Sequence, residues 1–310
     1  MKSLDLYDVV IIGGGPAGLS AGIYAMRSRL KTILLEKYLP GGQMVLIDHI
    51  ENYPGFPGGT SGLEITSRME EQARLLGLEI ISSEVQSLDL SRRDKVVHSS
   101  TGDYHTKTII IASGATPRRL GLPNEDRLTG KGVSYCATCD GIFFKGKEIA
   151  VVGGGDSAVQ DAVFLSRFAN KIAIIHRRDT LRACKILQER VFKNPKITVK
   201  WNTIAVEILG KEKVEGLVIE NVATGKRETL PVEGVFVLVG TDPNTEFVHG
   251  AVVTDEQGYI LTNEEMQTNV PGVFAAGDCR RKSLRQLITA AADGAIAAVS
   301  AEKYIESLEQ

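Results

Sequence analysis

The sequence predicts an α/β protein of two parallel-sheet domains, the second inserted into a discontinuous first. Residues 8–36, DVVIIGGGPAGLSAGIYAMRSRLKTILLE, align without gaps over residues 148–176, EIAVVGGGDSAVQDAVFLSRFANKIAIIH. Each copy runs from an apolar strand through a glycine-rich turn and a helical stretch into a second strand, which is a βαβ unit. A third observation sets the connectivity. The strand-like segment GVFAAGD, residues 272–278, follows the second copy and ends in an acid, as a strand of the first domain would. The chain must therefore return to its first domain after leaving it.

The opening strands are Val9 to Ile12 and Ile149 to Val152, apolar runs suited to parallel strands buried on both faces. Gly13, Gly15 and Gly18 follow the first in G-x-G-x-x-G spacing; Gly153, Gly155 and Ala158 follow the second. The first small residue makes the tight turn, the next admits a pyrophosphate to backbone N–H groups, and the third lets helix and sheet pack closely. One such motif is weak; two in the same strand–turn–helix context are strong. These are two nucleotide-binding, Rossmann-like domains.

The second strands, Thr32–Leu35 and Ile172–Ile175, end differently. Glu36 stands 18 residues after Gly18, where a carboxylate accepts hydrogen bonds from ribose hydroxyls. Its counterpart is His176, followed by Arg177 and Arg178, with Arg182 beyond. A carboxylate there repels a 2′-phosphate, whereas a basic cluster binds one through charge-assisted hydrogen bonds. The first site is therefore expected to hold FAD or NAD and the second NADPH. Arg182 is equally open to pairing with a carboxylate.

Two dinucleotide sites point to a flavin bridging to a nicotinamide. Thr108–Gly114, TIIIASG, is a further strand whose small residues, Ala112 among them, admit a ligand to the backbone. Asp278 closes GVFAAGD and is followed by Arg285, Gln286 and the small-residue stretch ITAAADGAIAA. Asp278 suits flavin ribitol hydroxyls, but a helix cap explains it as well. The expected partition is an FAD-binding domain at residues 1–117 and 247–310, with an inserted NAD(P)-binding domain at 118–246. Both crossings, ATPRRLGLP and GTDPNTEF, carry proline and turn residues. A double crossing suits rotation of one domain against the other.

The composition excludes several classes. With 36 basic and 38 acidic side chains, no global field recruits nucleic acid or an anionic membrane. No apolar run approaches the ~18 residues of a membrane helix. The start MKSLDLYDVV carries Asp5 and Asp8 where a signal peptide needs apolar residues, so a cytoplasmic protein is expected.

Of four cysteines, only Cys136 and Cys139 are close in sequence, in SYCATCDG. Metal ligation, a structural staple and a redox pair are the three readings. Zinc needs four ligands, usually in two pairs, and Cys184 and Cys279 are isolated. Stable disulfides are rare in the expected compartment. A C-x-x-C at a turn or helix start lets the sulfurs meet and lowers a thiol pKa. Asp140, directly behind, suits a general acid, and Asp-Gly is also a turn signal.

GGGPAG, GGQ at 41–43, ENYPGF at 51–56, CATCDG, GGGDSA, HRR with Arg182, GTDPNT and PGVFAAGD followed by RQ together resemble the low-molecular-weight thioredoxin reductases of bacteria and archaea. The likeness runs nearly end to end. It implies flavin contacts at Glu36, Gly42, Gln43, Asn52, Val85, Ala112, Asp278, Arg285 and Gln286, and NADPH contacts at Ser157, His176, Arg177, Arg178 and Arg182. It implies that Cys139 faces the flavin, Cys136 attacks a partner disulfide and Asp140 is the acid. Electrons would pass from NADPH through FAD to the Cys136–Cys139 disulfide, then to thioredoxin or a thioredoxin-like protein, in a homodimer. Cys184 and Cys279 lie outside this scheme and are expected to be inert buried or semi-buried thiols. Rival readings are a flavin dithiol oxidase, against which the basic HRR cluster speaks, and a ferredoxin–NADP-type flavin reductase, against which the cysteine pair speaks. A non-catalytic nucleotide-sensing scaffold is the third.

Overall fold

The computed structural model describes residues 6–47, 50–248 and 250–308, so Asp5 and the start of the chain lie outside the described residues. The chain divides into two compact units, Met1–Thr116 with Asp242–Gln310, and Pro117–Thr241.

The first unit opens with β1 (Leu6–Ile12), α1 (Pro16–Arg27) and β2 (Thr32–Glu36). It continues through α2 (Gly62–Leu75), β3 (Glu79–Ser82), β4 (Val85–Asp89), β5 (Lys95–Ser99) and β6 (Gly102–Ile111). The short strand β7 (Ala115–Pro117) then carries the chain across.

The second unit holds α3 (Glu125–Leu128), β8 (Val133–Ser134), α4 (Ala137–Asp140), β9 (Glu148–Gly153), α5 (Asp156–Leu165) and β10 (Lys171–Ile175). After α6 (Lys185–Lys193) come β11 (Ile197–Lys200), β12 (Thr203–Leu209), β13 (Gly216–Asn221), β14 (Arg227–Leu230) and β15 (Gly234–Leu238). The return strand β16 (Thr241–Pro243) pairs with β7, so the two crossings form one ribbon. Back in the first unit lie β17 (Val273–Ala275) and α7 (Leu287–Leu308).

The first sheet runs β3-β2-β1-β6-β5-β4, with β17 also on β6. Strands β3, β2, β1, β6 and β17 are parallel, and β4–β5–β6 is an antiparallel meander. In register, Ile12 lies beside Leu35 and Ile111, and Ala275 beside Ile111. The carboxyl ends of β1, β2, β6 and β17 therefore share one edge, where ligands of open α/β sheets bind. One face packs on α1 and α7 through Val9, Ile11, Leu34, Ile110 and Phe274. The other face, Val10, Ile12, Ile33 and Ile111, packs on Val248, Val252 and Ile260. Strands apolar on both faces follow from this double cover. Helices α1 and α7 approach closely because position 294 is glycine: a Cβ there would overlap the Ala17 carbonyl oxygen.

In the second unit a parallel sheet runs β11-β10-β9-β15-β8. One face carries α5 and α6 through Val151, Ile174, Ala158, Leu165 and Leu187. The other is covered by the antiparallel sheet β12-β13-β14 through Ile208, Leu217 and Ile219.

The expected strands recur with altered ends. GVFAAGD is strand for only three residues, because Gly277 turns at φ +79°, where a Cβ would press on the Ala17 Cβ at 2.9 Å. TIIIASG is strand only to Ile111, and Ala112 donates its amide to the Ile12 carbonyl as the chain leaves the sheet.

Candidate active site

At the carboxyl edge of the first sheet, Gly13 turns at φ +104° against Ala112, whose carbonyl oxygen a Cβ would overlap. A Cβ on Gly18 would overlap the Gly13 carbonyl, so this glycine brings α1 down onto the turn. Gly15 is different: a Cβ there would meet nothing nearer than the Gly42 Cα at 4.0 Å. Protein packing demands Gly13 and Gly18, while Gly15 faces open space at the N-cap of α1. That is the arrangement a phosphate cradle needs.

The GGQ loop closes over this turn. The Gly41 amide donates to the Gly14 carbonyl at 2.7 Å, and a Cβ on Gly42 (φ +57°) would sit 3.2 Å from the Gly15 Cα. Glu36 lies half-buried at the end of β2. Its Oε2 accepts the Gly14 N–H at 2.5 Å and its Oε1 the Tyr38 N–H at 2.8 Å. The Ser83 amide donates to the Glu36 carbonyl, which brings the start of β4, and with it Val85, toward the same edge.

Four more expected residues meet there. The Asn52 Nδ2 donates to the Gln286 Oε1 at 2.9 Å, across 234 positions of sequence. Gln286 directly precedes α7, and the Arg285 guanidinium lies 4.1 Å from the centre of the Tyr259 ring. Asp278 lies in a single 3-10 turn, Gly277–Cys279, and α7 begins only at Leu287, so Asp278 is not its cap. Its Oδ1 and the Arg285 Nε are buried without a hydrogen-bond partner among the described residues. Burial pushes the Asp278 carboxyl up; Lys282 and Arg285 oppose that shift and Asp293 adds to it. Two orphaned polar atoms beside a phosphate-type turn fit a polar cofactor that supplies their partners.

The second unit repeats the turn with other chemistry. Gly153 (φ +152°) turns against Leu238, whose carbonyl oxygen a Cβ would overlap, and would crowd the Ala158 Cβ at 2.7 Å. Gly155 again has nothing within 4 Å. The place of Glu36 is taken by His176, whose ring is buried against Gly154 while its Nε2 donates to the Thr180 carbonyl at 2.9 Å. Burial, with Arg182 and Arg178 nearby, lowers the His176 pKa, so the ring is neutral near pH 7. Ser157, Arg177, Arg178 and Arg182 are exposed. The Arg182 amide donates to the Gly154 carbonyl, which ties the basic segment to the turn. Among the described residues no ion pair takes the Arg182 guanidinium. The exposed cations suit a 2′-phosphate, and the open Gly155 suits a pyrophosphate.

In the same unit, Cys136 and Cys139 form a disulfide with Cα atoms 5.4 Å apart. Cys136 precedes α4, and the Cys139 amide donates to the Cys136 Sγ at 3.2 Å. Ser134 clamps Cys136: its Oγ accepts the Cys136 N–H and donates to the Cys136 carbonyl, both at 3.1 Å. Tyr135, between them, donates its hydroxyl to the Glu125 Oε1 at 2.7 Å. Glu125 is buried and also accepts the Leu120 and Leu122 amides, anchoring the segment behind the first crossing. Burial and the Glu125 carboxylate push the Tyr135 pKa up to about 12. Burial alone would raise the Glu125 carboxyl, but the Tyr135 hydroxyl and the backbone amides hold it below its usual value. Asp140 closes α4 half-buried, and its carboxylate makes no hydrogen bond or ion pair among the described residues.

The pyridine nucleotide-disulphide oxidoreductase family model matches residues 7–294. A thioredoxin reductase of Peptoclostridium litorale is 49% identical over 310 residues, covering 98% of each chain. The chain belongs to the thioredoxin reductase family. Its structure is similar to that of Lactococcus lactis thioredoxin reductase (FR conformation), with 46% identity, 97% and 99% coverage and a TM-score of 0.95. The thioredoxin reductase of Streptococcus pyogenes is equally similar in sequence, 46% over 98% and 100% of the chains, yet its TM-score is 0.67. The protein is thus an oxidoreductase of a family that works with FAD and NADPH, and the Cys136–Cys139 disulfide fits the family's redox-active pair.

Cys184 departs from expectation. It is exposed at the start of α6, because its amide is drawn to the Asp156 Oδ1 at 2.7 Å at the surface end of α5. Cys279 is fully buried, and burial pushes its pKa up to about 11. The sequence reading also missed Asp293, Arg280 and Lys282, which form a buried charge cluster behind Asp278. The one available signal was an acid inside the small-residue stretch ITAAADGAIAA.

Proposed function

We propose that this chain reduces the disulfide of thioredoxin or a thioredoxin-like protein with electrons from NADPH. In this reading residues 1–117 and 247–310 form the FAD domain and residues 118–246 the NADPH domain. Gly13, Gly15, Gly18, Glu36, Gly42, Gln43, Asn52, Val85, Ala112, Asp278, Arg285 and Gln286 hold FAD. Gly153, Gly155, Ser157, Arg177, Arg178 and Arg182 hold NADPH, with His176 closing the turn beneath them. Bound FAD supplies a two-electron relay between nicotinamide and disulfide.

The observation that carries the reading is the disulfide between Cys136 and Cys139 with the Cys139 N–H on the Cys136 Sγ. A hydrogen bond to sulfur favours its thiolate form. Once the pair is reduced, Cys136 is therefore the better nucleophile. Its thiolate attacks one sulfur of the partner disulfide, and the other sulfur leaves as a thiolate and takes a proton. Cys139 then attacks the Cys136 Sγ, releases the partner's second thiol and restores the Cys136–Cys139 disulfide. Two electrons from one NADPH balance each turn. In this reading Asp140 is the acid that returns a proton to a leaving thiolate.

Two further elements belong to this reading. The paired crossings serve as a hinge, so that the disulfide and the nicotinamide reach the flavin in turn. In support, two relatives of equal identity to this chain match its structure at TM-scores of 0.95 and 0.67, so similarity of shape does not follow sequence identity in this family. A homodimer in the cytoplasm is the assembly proposed. Tyr24 on α1 and Ile288, Ile296 and Val299 on α7 are exposed apolar residues on two helices packed against each other, a surface suited to a second copy. Among the described residues no helix is long and apolar enough to cross a membrane.

The test is NADPH-driven reduction of thioredoxin by the wild type, C136S and C139S. Each variant should lose thioredoxin reduction while NADPH still bleaches the yellow flavin absorbance. Disulfide reduction surviving in either variant would sink the proposal. Turnover unchanged after the two units are crosslinked would remove the hinge.

A further inference from the structure

Behind Asp278, the Oδ2 of Asp293 on α7 accepts three donors from one short segment, residues 277–282. They are the Gly277 N–H at 3.0 Å, the Arg280 Nη1 at 3.2 Å and the Lys282 Nζ at 2.7 Å. The cluster is nearly dry, with side-chain exposures of 10% for Asp293, 12% for Arg280 and 6% for Lys282. Arg280 has a second anchor, its Nε on the Thr262 Oγ1 at 2.7 Å, whereas the Lys282 ammonium is held by Asp293.

A buried ammonium seeks an anion, because an unpaired charge in the interior costs several kcal/mol. Two carboxylates lie within its field. One is Asp293; the other is Asp278, which Lys282 already influences and whose Oδ1 has no partner among the described residues. The fold gives the cation to Asp293 and leaves Asp278 unspent. Arg285, the other cation acting on Asp278, is held over the Tyr259 ring.

We infer that Asp293 is a positioning residue for the cofactor site: by holding Lys282 and fixing the Gly277 amide, it keeps the Asp278 carboxylate unpaired and open to hydroxyl donors of FAD. This rests on the proposed role of Asp278 at the flavin. Without the Asp293 charge, Lys282 turns to Asp278, and a carboxylate paired with an ammonium is a poorer acceptor for the cofactor. Asp293 itself touches no cofactor atom in this account. Its effect passes through Lys282, which makes the effect reversible by a second substitution.

The test measures the FAD dissociation constant of the full-length chain by flavin fluorescence for D293N, K282M and the double variant D293N/K282M, with NADPH affinity as the check on the other unit. D293N should weaken FAD binding tenfold or more with NADPH affinity unchanged. K282M alone should stay within twofold of the wild type, and the double variant should recover to within threefold. A D293N protein that binds FAD normally, or a double variant no tighter than D293N, overturns the inference. Should D293N fail to fold, the double variant decides: FAD affinity within threefold of wild type supports the inference, and a tenfold loss overturns it. D278A tests the underlying reading separately. If D278A leaves FAD affinity intact, Asp278 is not a flavin ligand and the inference falls with it. If D278A loses FAD while D293N keeps it, only the inference falls.

Discussion

Within each glycine-rich turn the structure separates glycines that packing requires from glycines that face open space, and Gly153 and Gly155 make the sharpest pair. In G153A the new methyl meets the Leu238 carbonyl oxygen and crowds the Ala158 Cβ at 2.7 Å, on a backbone at φ +152°. A residue forced into such a region costs about 1–3 kcal/mol. Overpacking adds about as much, so the unit should lose roughly 2–6 kcal/mol. That corresponds to a fall in melting temperature on the order of 10 °C. In G155A the methyl meets nothing within 4 Å, and the backbone, at φ −90° and ψ −177°, suits any residue. The remaining penalty is alanine at an N-cap, at most about 1 kcal/mol.

Cofactor binding should reverse the order of damage. A methyl at Gly155 stands where the pyrophosphate would approach the amides at the start of α5. Losing one charge-assisted hydrogen bond of about 1.5–3 kcal/mol weakens NADPH roughly 10- to 100-fold. The assay pairs thermal melting of the cofactor-free chain with NADPH titration at a temperature where each variant is folded. G155A binding NADPH within twofold of the wild type, or melting as low as G153A, would refute the assignment of this turn to a phosphate.

Removing any one of Arg177, Arg178 or Arg182 as alanine should weaken NADPH roughly tenfold and NADH far less, read as the ratio of their dissociation constants; H176A should instead lower the melting temperature, because its ring is buried against the turn. Alkylation of the oxidised native protein should modify Cys184 quickly and Cys279 only on unfolding, with Cys136 and Cys139 joining after NADPH reduction, as mass spectrometry of peptides would read. Asp161, on α5, has its carboxyl pushed up to about 7 by burial. A carboxyl with a raised folded pKa stabilises fully below its ordinary value near 3.8 and loses that contribution as pH rises toward 7. D161N should therefore match the wild type near pH 4 and melt a few degrees higher at pH 8; no pH dependence in the difference would refute the shift.

The parts legible in the sequence are those encoded locally. Apolar runs and turn glycines announce β1, β9 and their helices because each needs only its own few residues to be read. The return of the chain was legible because GVFAAGD came in the wrong order for a simple tandem. Strand ends were less so: Gly277 bends away from β17 to clear Ala17, a residue 260 positions earlier. The antiparallel sheet β12–β14 and the hairpin β4–β5 carry no motif, only ordinary strand patterning. Least legible were contacts between residues ten to sixteen positions apart, such as the Glu125 carboxylate behind Tyr135 and the three donors on Asp293. Each joins residues whose types are unremarkable alone, and no spacing rule relates them.

The repeat also explains why one sequence position has two kinds of work. Residue 36 ends its second strand and its counterpart 176 directly follows one, each beside the middle glycine of its turn. Glu36 takes the Gly14 amide, and the His176 ring fills the space beside Gly154. Both side chains therefore seal their turn before any cofactor arrives. Under the proposed function, the selection between the two nucleotides is divided in the following way. At the first site a single carboxylate both seals the turn and presents the acceptor. At the second the seal is neutral and buried, and the discriminating charge has moved outward to Arg177, Arg178 and Arg182. Exchanging Glu36 and His176 would not exchange cofactors. It would put a carboxylate into the dry space beside Gly154 and leave the arginines untouched.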